Sequence, residues 1–265
     1  MIYQGSKARL IKDILPYIQN CIDSNKVNLY IEPFVGGANV IQHIKKATKI
    51  GLDTNKYLIA LLKHCQNNPD LTDAFEDCPF ELYKEVRDSY NKGDDRYEDW
   101  QKGLVGFCAS YGGRFFDGGY GRDKTGKRNI YKERIKYLKD EAESLMGVSF
   151  SAQDYTSINC NAENTPAFFY LDPPYTGTKQ YQNNFCHDQF YRWARELSKH
   201  HFVLISEYQM PSDFLSIWTK ERKVMQKSDR TSAELFSEHL FTHKDGLYYK
   251  WYHLEVIRQE NGLKW

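Results

Sequence analysis

No apolar run in the 265-residue chain approaches the roughly 20 residues that a membrane-spanning helix needs, so a helical membrane protein is not expected. The opening residues, MIYQGSKARL, lack the apolar stretch and small-residue cleavage site of a signal peptide, and the expected location is the cytoplasm. The 6 cysteines, at 21, 65, 78, 108, 160 and 186, never come close enough for the C-x2-C spacing of a zinc site. They are expected to be reduced and mostly buried, with no metal bound. There is no internal repeat and no G-x-G-x-x-G phosphate signature. Net charge is nearly absent too: 36 Lys and Arg face 35 Asp and Glu, for a formal +1.

What the chain does hold is apolar and aromatic surface. Hydrophobic residues make up 41%, and 20 Tyr, 15 Phe and 5 Trp can cover a sizeable core, which excludes a disordered chain. The length fits one large domain or two modest ones. The near-zero charge hides an asymmetry. Residues 68–99 carry 11 acids and 4 bases, net −7, whereas residues 111–139 carry 9 bases and 3 acids, net +6. The basic block interleaves Tyr111, Phe115, Phe116 and Tyr120 with glycines, which suits a loop reaching into nucleic acid. A solvated helical face beside a Gly-rich turn has the same composition.

Leu10, Ile11, Ile14, Leu15, Ile18 and Ile22 recur at helical spacing and predict an amphipathic helix over 7–22 despite Pro16. A short buried strand over 28–32, a turn at 33–37, a helix over 38–46, a strand over 48–53 and a helix over 54–65 follow. This alternation is that of a parallel sheet with crossovers. From 68 to about 144 the chain reads as helical and charged, with a Gly-rich loop at 112–121 and no buried strand. Strand character returns at 148–150, 167–171 and 202–205, with a helix over 187–199, and 247–258 alternates like a hairpin strand. The predicted organisation is a discontinuous α/β domain, 1–67 and 145–265, interrupted by a module over 68–144.

In open parallel sheets ligands bind beyond the carboxyl ends of the strands. The first strand ends in Glu32-Pro33-Phe34-Val35-Gly36-Gly37, which reads as a cofactor loop or as a tight turn. The second ends in Asp53, placed either to accept from the two hydroxyls of a ribose or to cap the next helix. The fourth ends in Asp172-Pro173-Pro174-Tyr175. At average residue usage that tetrapeptide arises by chance in a chain of this length about once in a thousand, which favours a functional origin. Its chemistry is coherent. The prolines fix a turn and offer the Pro173 carbonyl beside the Asp172 carboxylate, two acceptors for one exocyclic amine, and Tyr175 offers a ring for a base to stack on.

In order and type these motifs resemble the Dam-type, or D12 class, DNA adenine N6-methyltransferases. Tyr3-Gln-Gly-Ser-Lys7 is similar to that family's aromatic-x-Gly-x-Lys segment, Glu32 to Gly37 to its methyl-donor loop, Asp53-Thr-Asn55 to its acidic ribose site, and Asp172 to Tyr175 to its catalytic motif. Phe150 to Tyr155 resembles the segment that flanks the donor's adenine. The resemblance implies a Rossmann-like S-adenosylmethionine-dependent methyltransferase sheet with an inserted, mainly helical target recognition domain, here 68–144. It also implies double-stranded DNA as substrate, with a cognate restriction endonuclease as a candidate partner. Gly37 and Asp172 lie 135 residues apart, more than the 60 to 80 or so that a compact sheet needs at about 30 per crossover unit, which leaves room for such an insertion. The loop over 108–122 loosely echoes the family's recognition hairpin at Phe116, Gly121 and Arg122.

The site that the resemblance implies has Tyr3, Lys7, Glu32, Pro33, Phe34, Gly36, Asp53, Asp154, Tyr155 and Asp172 around the donor. Asp172, Pro173, Pro174 and Tyr175 act on the adenine, and Arg114, Phe116, Arg122, Lys124, Lys127 and Arg128 on DNA. Neither a metal nor a covalent enzyme intermediate is called for. Cytosine C5 methylation would need a nucleophilic thiol, and the chain has no Pro-Cys dipeptide. The alternatives are an N4-cytosine or RNA amine methyltransferase, in which the motif more often begins with Ser or Asn, and a catalytically silent DNA-binding module.

Overall fold

The apolar stretches at 29–32, 168–171 and 202–207 are too short for helices and too continuous for a solvated face. They form parallel neighbours in the computed structural model of the chain, which describes residues 1–161, 165–175, 185–225 and 233–260, without the side chains of 222–225 and 233–236. Seven strands make one mixed sheet of order β3-β2-β1-β4-β5-β7-β6. They are β1 (Leu29–Glu32), β2 (Thr48–Asp53), β3 (Val148–Ala152), β4 (Phe168–Leu171), β5 (Phe202–Glu207), β6 (Phe214–Met225) and β7 (Ala233–His243). The 3-2-1-4-5 run is that of doubly wound sheets. The α-helices among the described residues are α1 (Ile11–Asn25), α2 (Lys56–Asn67), α3 (Phe80–Lys92), α4 (Asp99–Cys108), α5 (Ile130–Ala142), α6 (His187–His200) and α7 (Leu247–Glu260).

The chain divides into two compact units: one of residues 1–12, 35–44 and 49–154, the other of 13–34, 45–48 and 155–265. In the first, β2 and β3 pair in parallel and α2 to α5 pack together. Each helix starts or stops for a local reason. The Asn55 side chain accepts from the amides of Tyr57 and Leu58 to cap α2, and Asn129 caps α5 through Lys132 N. Glu98 and Gln101 form a reciprocal capping box at α4, and α3 ends on left-handed Gly93. α4 lies close on α2 because Gly103 has no side chain; a Cβ there would collide with the Tyr57 carbonyl oxygen.

In the second unit β4 pairs in parallel with β1 and β5, while β5 and β6 flank β7 antiparallel. Every residue of β4 and β5 is buried, as expected for strands covered on both faces. α1 buries Ile14, Ile18, Cys21 and Ile22, and Tyr248 of α7 donates from its hydroxyl to the Tyr17 carbonyl at 3.1 Å. Arg195 of α6 grips Asp213 through two hydrogen bonds, at 2.5 and 2.9 Å. The guanidinium holds the Asp213 carboxyl down at about 2. That stabilisation is complete above the ordinary aspartate range and is lost as pH falls through the depressed value. Arg195→Met is therefore expected to lower the urea midpoint at pH 7, with the gap from the parent closing between pH 4 and pH 2 in parallel denaturation curves.

Two predicted elements differ from those observed, and one observed hairpin is not predicted. The span 38–46 is not a helix but a loop with one 3-10 turn, Ile41–His43. Ala38 takes a left-handed φ of 57°, which breaks helical continuation, and the Asn39 side-chain amide donates to Met1 O. The stretch 247–258 is α7, because Tyr248, Trp251, Tyr252 and Glu255 recur at helical spacing under the apparent alternation. The β6–β7 hairpin has no counterpart in the sequence-based assignment, since Lys220 to Lys223 break any apolar pattern along β6. Cys21, Cys65, Cys78 and Cys108 are buried, as expected, with burial pushing the thiols of Cys65, Cys78 and Cys108 up to about 12. Cys186 is exposed.

Candidate active site

In the first unit the turn after β1 and the tip of β2 meet. Asp53, in the carboxyl-terminal position of β2, accepts from Gly36 N at 3.2 Å and from Asn55 N at 2.9 Å. The helix cap is thus Asn55, and Asp53 serves the glycine turn instead. Burial pushes the Asp53 carboxyl above its ordinary value, while the two amide bonds oppose the shift. Two backbone bonds leave the carboxylate further lone pairs for hydroxyl donors. Gly36 has a φ of 47°, and a Cβ on it would lie 2.9 Å from the Tyr3 ring; one on Gly37 would lie 2.8 Å from Tyr3 Cβ. Only glycine fits there, because Tyr3 fills the space that a side chain would need. Lys7 is buried and donates to the Gly5 carbonyl at 3.2 Å. Asp154, two residues beyond β3, is exposed.

In the second unit one face of the sheet carries polar groups at the strand ends. Tyr30 and Phe168 are register partners, as are Tyr170 and Leu204, which places Tyr30, Glu32, Tyr170 and Ser206 on the same face. Tyr30 donates to the buried Glu32 carboxylate at 2.6 Å, and the hydroxyls of Tyr170 and Ser206 bond at 2.6 Å. Asp172 follows β4 directly, half-buried, with Pro173 buried and Pro174 half-buried beyond it. The Tyr175 hydroxyl donates to Glu238 of β7. Burial above all, and then the Asp172 charge, pushes the hydroxyls of Tyr170 and Tyr175 well above the ordinary phenol range, so both stay protonated. Phe34 and Tyr155 meet at 5.3 Å between ring centres, and Phe190 packs edge-on to both. Pro33 is buried beside them in sequence.

The basic block lies in the first unit. Tyr111 N donates to Gly119 O and Gly121 N to Ala109 O, closing a small ribbon around the Ser110–Tyr120 bridge. From below, Arg134 donates to the carbonyls of Phe107, Cys108 and Ser110 and ties the ribbon to α5. Arg122 is exposed and its guanidinium stacks over Phe80 at 4.9 Å and Tyr120 at 5.3 Å. Together with Lys127, Arg128 and the start of α5 it lines a polar cleft of about 440 Å³. Lys124 and Lys127 are exposed, Arg128 pairs with Glu133, and Arg114 is half-buried. Phe116, expected at the DNA surface, is instead buried against Tyr83 and Tyr90 with a left-handed φ of 54°. Its ring supports the loop from inside, whereas Tyr111 is 59% exposed.

A sequence model of the D12 class N6 adenine-specific DNA methyltransferases matches residues 3–240, nearly the whole chain. The chain belongs to this family. It is a DNA adenine methyltransferase, and its chemistry calls for a methyl donor. Over 197 residues it is 25% identical to the Type II methyltransferase M.MjaIII of Methanocaldococcus jannaschii, covering 65% of this chain and 67% of the relative. Among solved structures, two of the rRNA methyltransferase aviRa from Streptomyces viridochromogenes overlap 90% of this chain and 85% of theirs. Their TM-scores are 0.43 and 0.39 at 10% and 9% identity.

A second line of polar groups in this D12 methyltransferase, Ser206 and Glu207 at the end of β5 and Glu238 on β7, lies outside the motifs that the sequence displays. All three are buried. A usable signal exists in Ser206-Glu207, a polar pair closing an apolar strand. Glu238 has none, because nothing in the sequence marks the strand that carries it. No helix among the described residues is long and apolar enough to cross a membrane, and no group of three or more His, Cys, Asp or Glu among them could hold a metal ion.

Proposed function

We propose that the chain transfers a methyl group from S-adenosylmethionine to the N6 amine of an adenine flipped out of double-stranded DNA at a specific sequence. When bound, S-adenosylmethionine supplies an electrophilic methyl group on a sulfonium. Asp53 receives the donor's ribose hydroxyls, Tyr3, Lys7 and Gly36 line its approach, and Asp154 takes its adenine amine. Glu32, Pro33, Phe34 and Tyr155 complete its surroundings. The chemistry of the donor set supports the fit: a half-buried carboxylate with acceptor positions to spare, bonded to a glycine turn that packs on the Tyr3 ring.

The observation that carries the catalytic assignment is the position of Asp172. It begins a proline-stiffened turn at the carboxyl end of a fully buried parallel strand, next to the β1 end that carries Glu32. Asp172 and the Pro173 carbonyl accept hydrogen bonds from the two amine hydrogens of adenine, drawing the nitrogen lone pair out of conjugation. As the N–C bond forms the S–C bond breaks, the neutral thioether S-adenosylhomocysteine leaves, and the methylated nitrogen sheds one proton through its hydrogen bond to Asp172. Pro174 stiffens the turn, and Tyr175 stacks on the base. Extruding the base costs a few kcal/mol, offset by this stack and by contacts to the duplex.

Arg122, Lys124, Lys127 and Arg128 meet the DNA, with Arg114 beside them and 68–144 as the target recognition domain of a catalytic domain formed by 1–67 and 145–265. Replacing these four residues by Ala is expected to weaken binding to duplex DNA and to flatten its salt dependence by about 0.9 in log–log slope for each phosphate left without its cation. Fluorescence anisotropy between about 50 and about 300 mM KCl measures both. An unchanged slope would return the block to a solvated face. The Type II designation of the M.MjaIII relative supports a cognate restriction endonuclease as partner.

A further inference from the structure

Glu238 lies 63 residues beyond the Asp172-Pro-Pro-Tyr175 turn, on an antiparallel strand, and no motif of the chain includes it. It is 1% exposed. A buried carboxylate is costly unless it is bonded, and the Tyr175 hydroxyl donates to it. β7 pairs with β5 so that Ser206 faces Leu240, which puts Glu238 on the same side of the sheet as Ser206 and Tyr170. Its register partner on β6, Lys220, sends its ammonium to Asp13 at 2.7 Å. Tyr208, just past β5, sets its ring edge-on to Tyr175 with 4.6 Å between centres.

These contacts fix an aromatic ring at both ends. The backbone turn through Pro173 and Pro174 holds Cα of Tyr175, Glu238 holds the hydroxyl at the far end, and Tyr208 bears on the ring. A tyrosine tethered only through its backbone samples its two side-chain torsions, whereas one anchored by a charge-assisted bond at its hydroxyl keeps one ring plane. We propose that Glu238 is a positioning residue for methyl transfer, which sets the plane of Tyr175 on which the target base rests. This rests on the proposed stacking role of Tyr175. In that role the phenol oxygen touches neither the donor nor the amine and acts through Glu238.

The test is a set of single-turnover methyl-transfer rates, using excess full-length protein, labelled S-adenosylmethionine and plasmid DNA free of adenine methylation. Glu238→Ala is expected to lower the rate roughly tenfold or more, the scale of a broken charge-assisted bond, with dissociation constants for S-adenosylmethionine and DNA within about twofold. Glu238→Gln, whose amide oxygen still accepts, should recover most of that loss. Tyr175→Phe keeps the ring and should reproduce the loss, and adding Glu238→Ala to it should cost nothing more. Additive losses, or a Tyr175→Phe variant as fast as the parent, would overturn the proposal. If Glu238→Ala fails to fold, Tyr175→Phe alone decides. Tyr175→Ala separates the two ideas: a normal rate there would sink the stacking role itself, whereas a slow Ala variant beside a normal Phe variant sinks only the role of Glu238.

Discussion

Asp172→Ala is expected to lower the single-turnover rate of methyl transfer by roughly a hundred- to a thousandfold, the scale on which a preorganised polar group acts on a reacting centre. Binding of S-adenosylmethionine should change by less than about threefold. The reason is electronic. An aromatic amine holds its lone pair in the ring π-system, and two acceptors aimed at its hydrogens favour the pyramidal form that can attack. Asp172 is one acceptor and the Pro173 carbonyl the other, so removing the first leaves a half-oriented amine. Asp172→Asn retains an acceptor oxygen without the charge and should fall between the parent and Ala. Rapid-quench measurement with labelled donor separates the three. An alanine variant within about threefold of the parent would show that the motif only shapes a turn.

Asp53→Ala should act on the other substrate, raising the dissociation constant for S-adenosylmethionine roughly ten- to a hundredfold, as expected when hydrogen bonds to a charged acceptor are removed, while leaving the rate at saturating donor nearly intact. Part of the effect is structural, because the same carboxylate holds Gly36 N. Equilibrium dialysis gives the constant directly. Acid should mimic the substitution: the folded carboxyl titrates above the ordinary aspartate value, so donor affinity declines on acidification before an exposed aspartate would be protonated. Donor binding unaffected by both Asp53→Ala and acid would remove Asp53 from the donor site.

Both predictions use residues that can be read from the sequence, and for the same reason. β1 and β4 are short apolar strands, and β2 closes on Ile50, Gly51 and Leu52; all three end abruptly in polar or proline-containing turns, and that local contrast survives without any tertiary information. Asp172 and Asp53 sit where the pattern breaks. The glycine pair at 36–37 is legible as a turn, but its neighbour, Tyr3, is contributed from more than 30 residues away, and spacing carries no such contact.

What cannot be read has physical causes. β6 and β7 draw their order from pairing with each other and with β5, so their charged sequences show no strand period, and Glu238 is hidden with them. α7 buries only Tyr248 and Glu255 and leaves Leu254 and Ile257 exposed, so its apolar residues mark no single helical face, and closely spaced Tyr and Trp mimic strand alternation. Phe116 reads as a surface aromatic because it lies among glycines and bases. A positive φ turns its ring inward onto Tyr83 and Tyr90, a conformation that a sequence does not announce. The charge blocks, by contrast, are legible in full. The acidic stretch lies largely on α3 and the chain around it, and the basic one on the ribbon and α5, each within the unit that also carries Asp53.

The most direct measurement is nucleoside analysis of adenine-unmethylated plasmid DNA after incubation with the protein and methyl-labelled S-adenosylmethionine. The label should appear in N6-methyladenine, only when the donor is present, and not with the Asp172→Ala variant. Label in N4-methylcytosine, label entering RNA but not DNA, or N6-methyladenine formed equally well by Asp172→Ala would contradict the assignment of adenine methyl transfer to this motif.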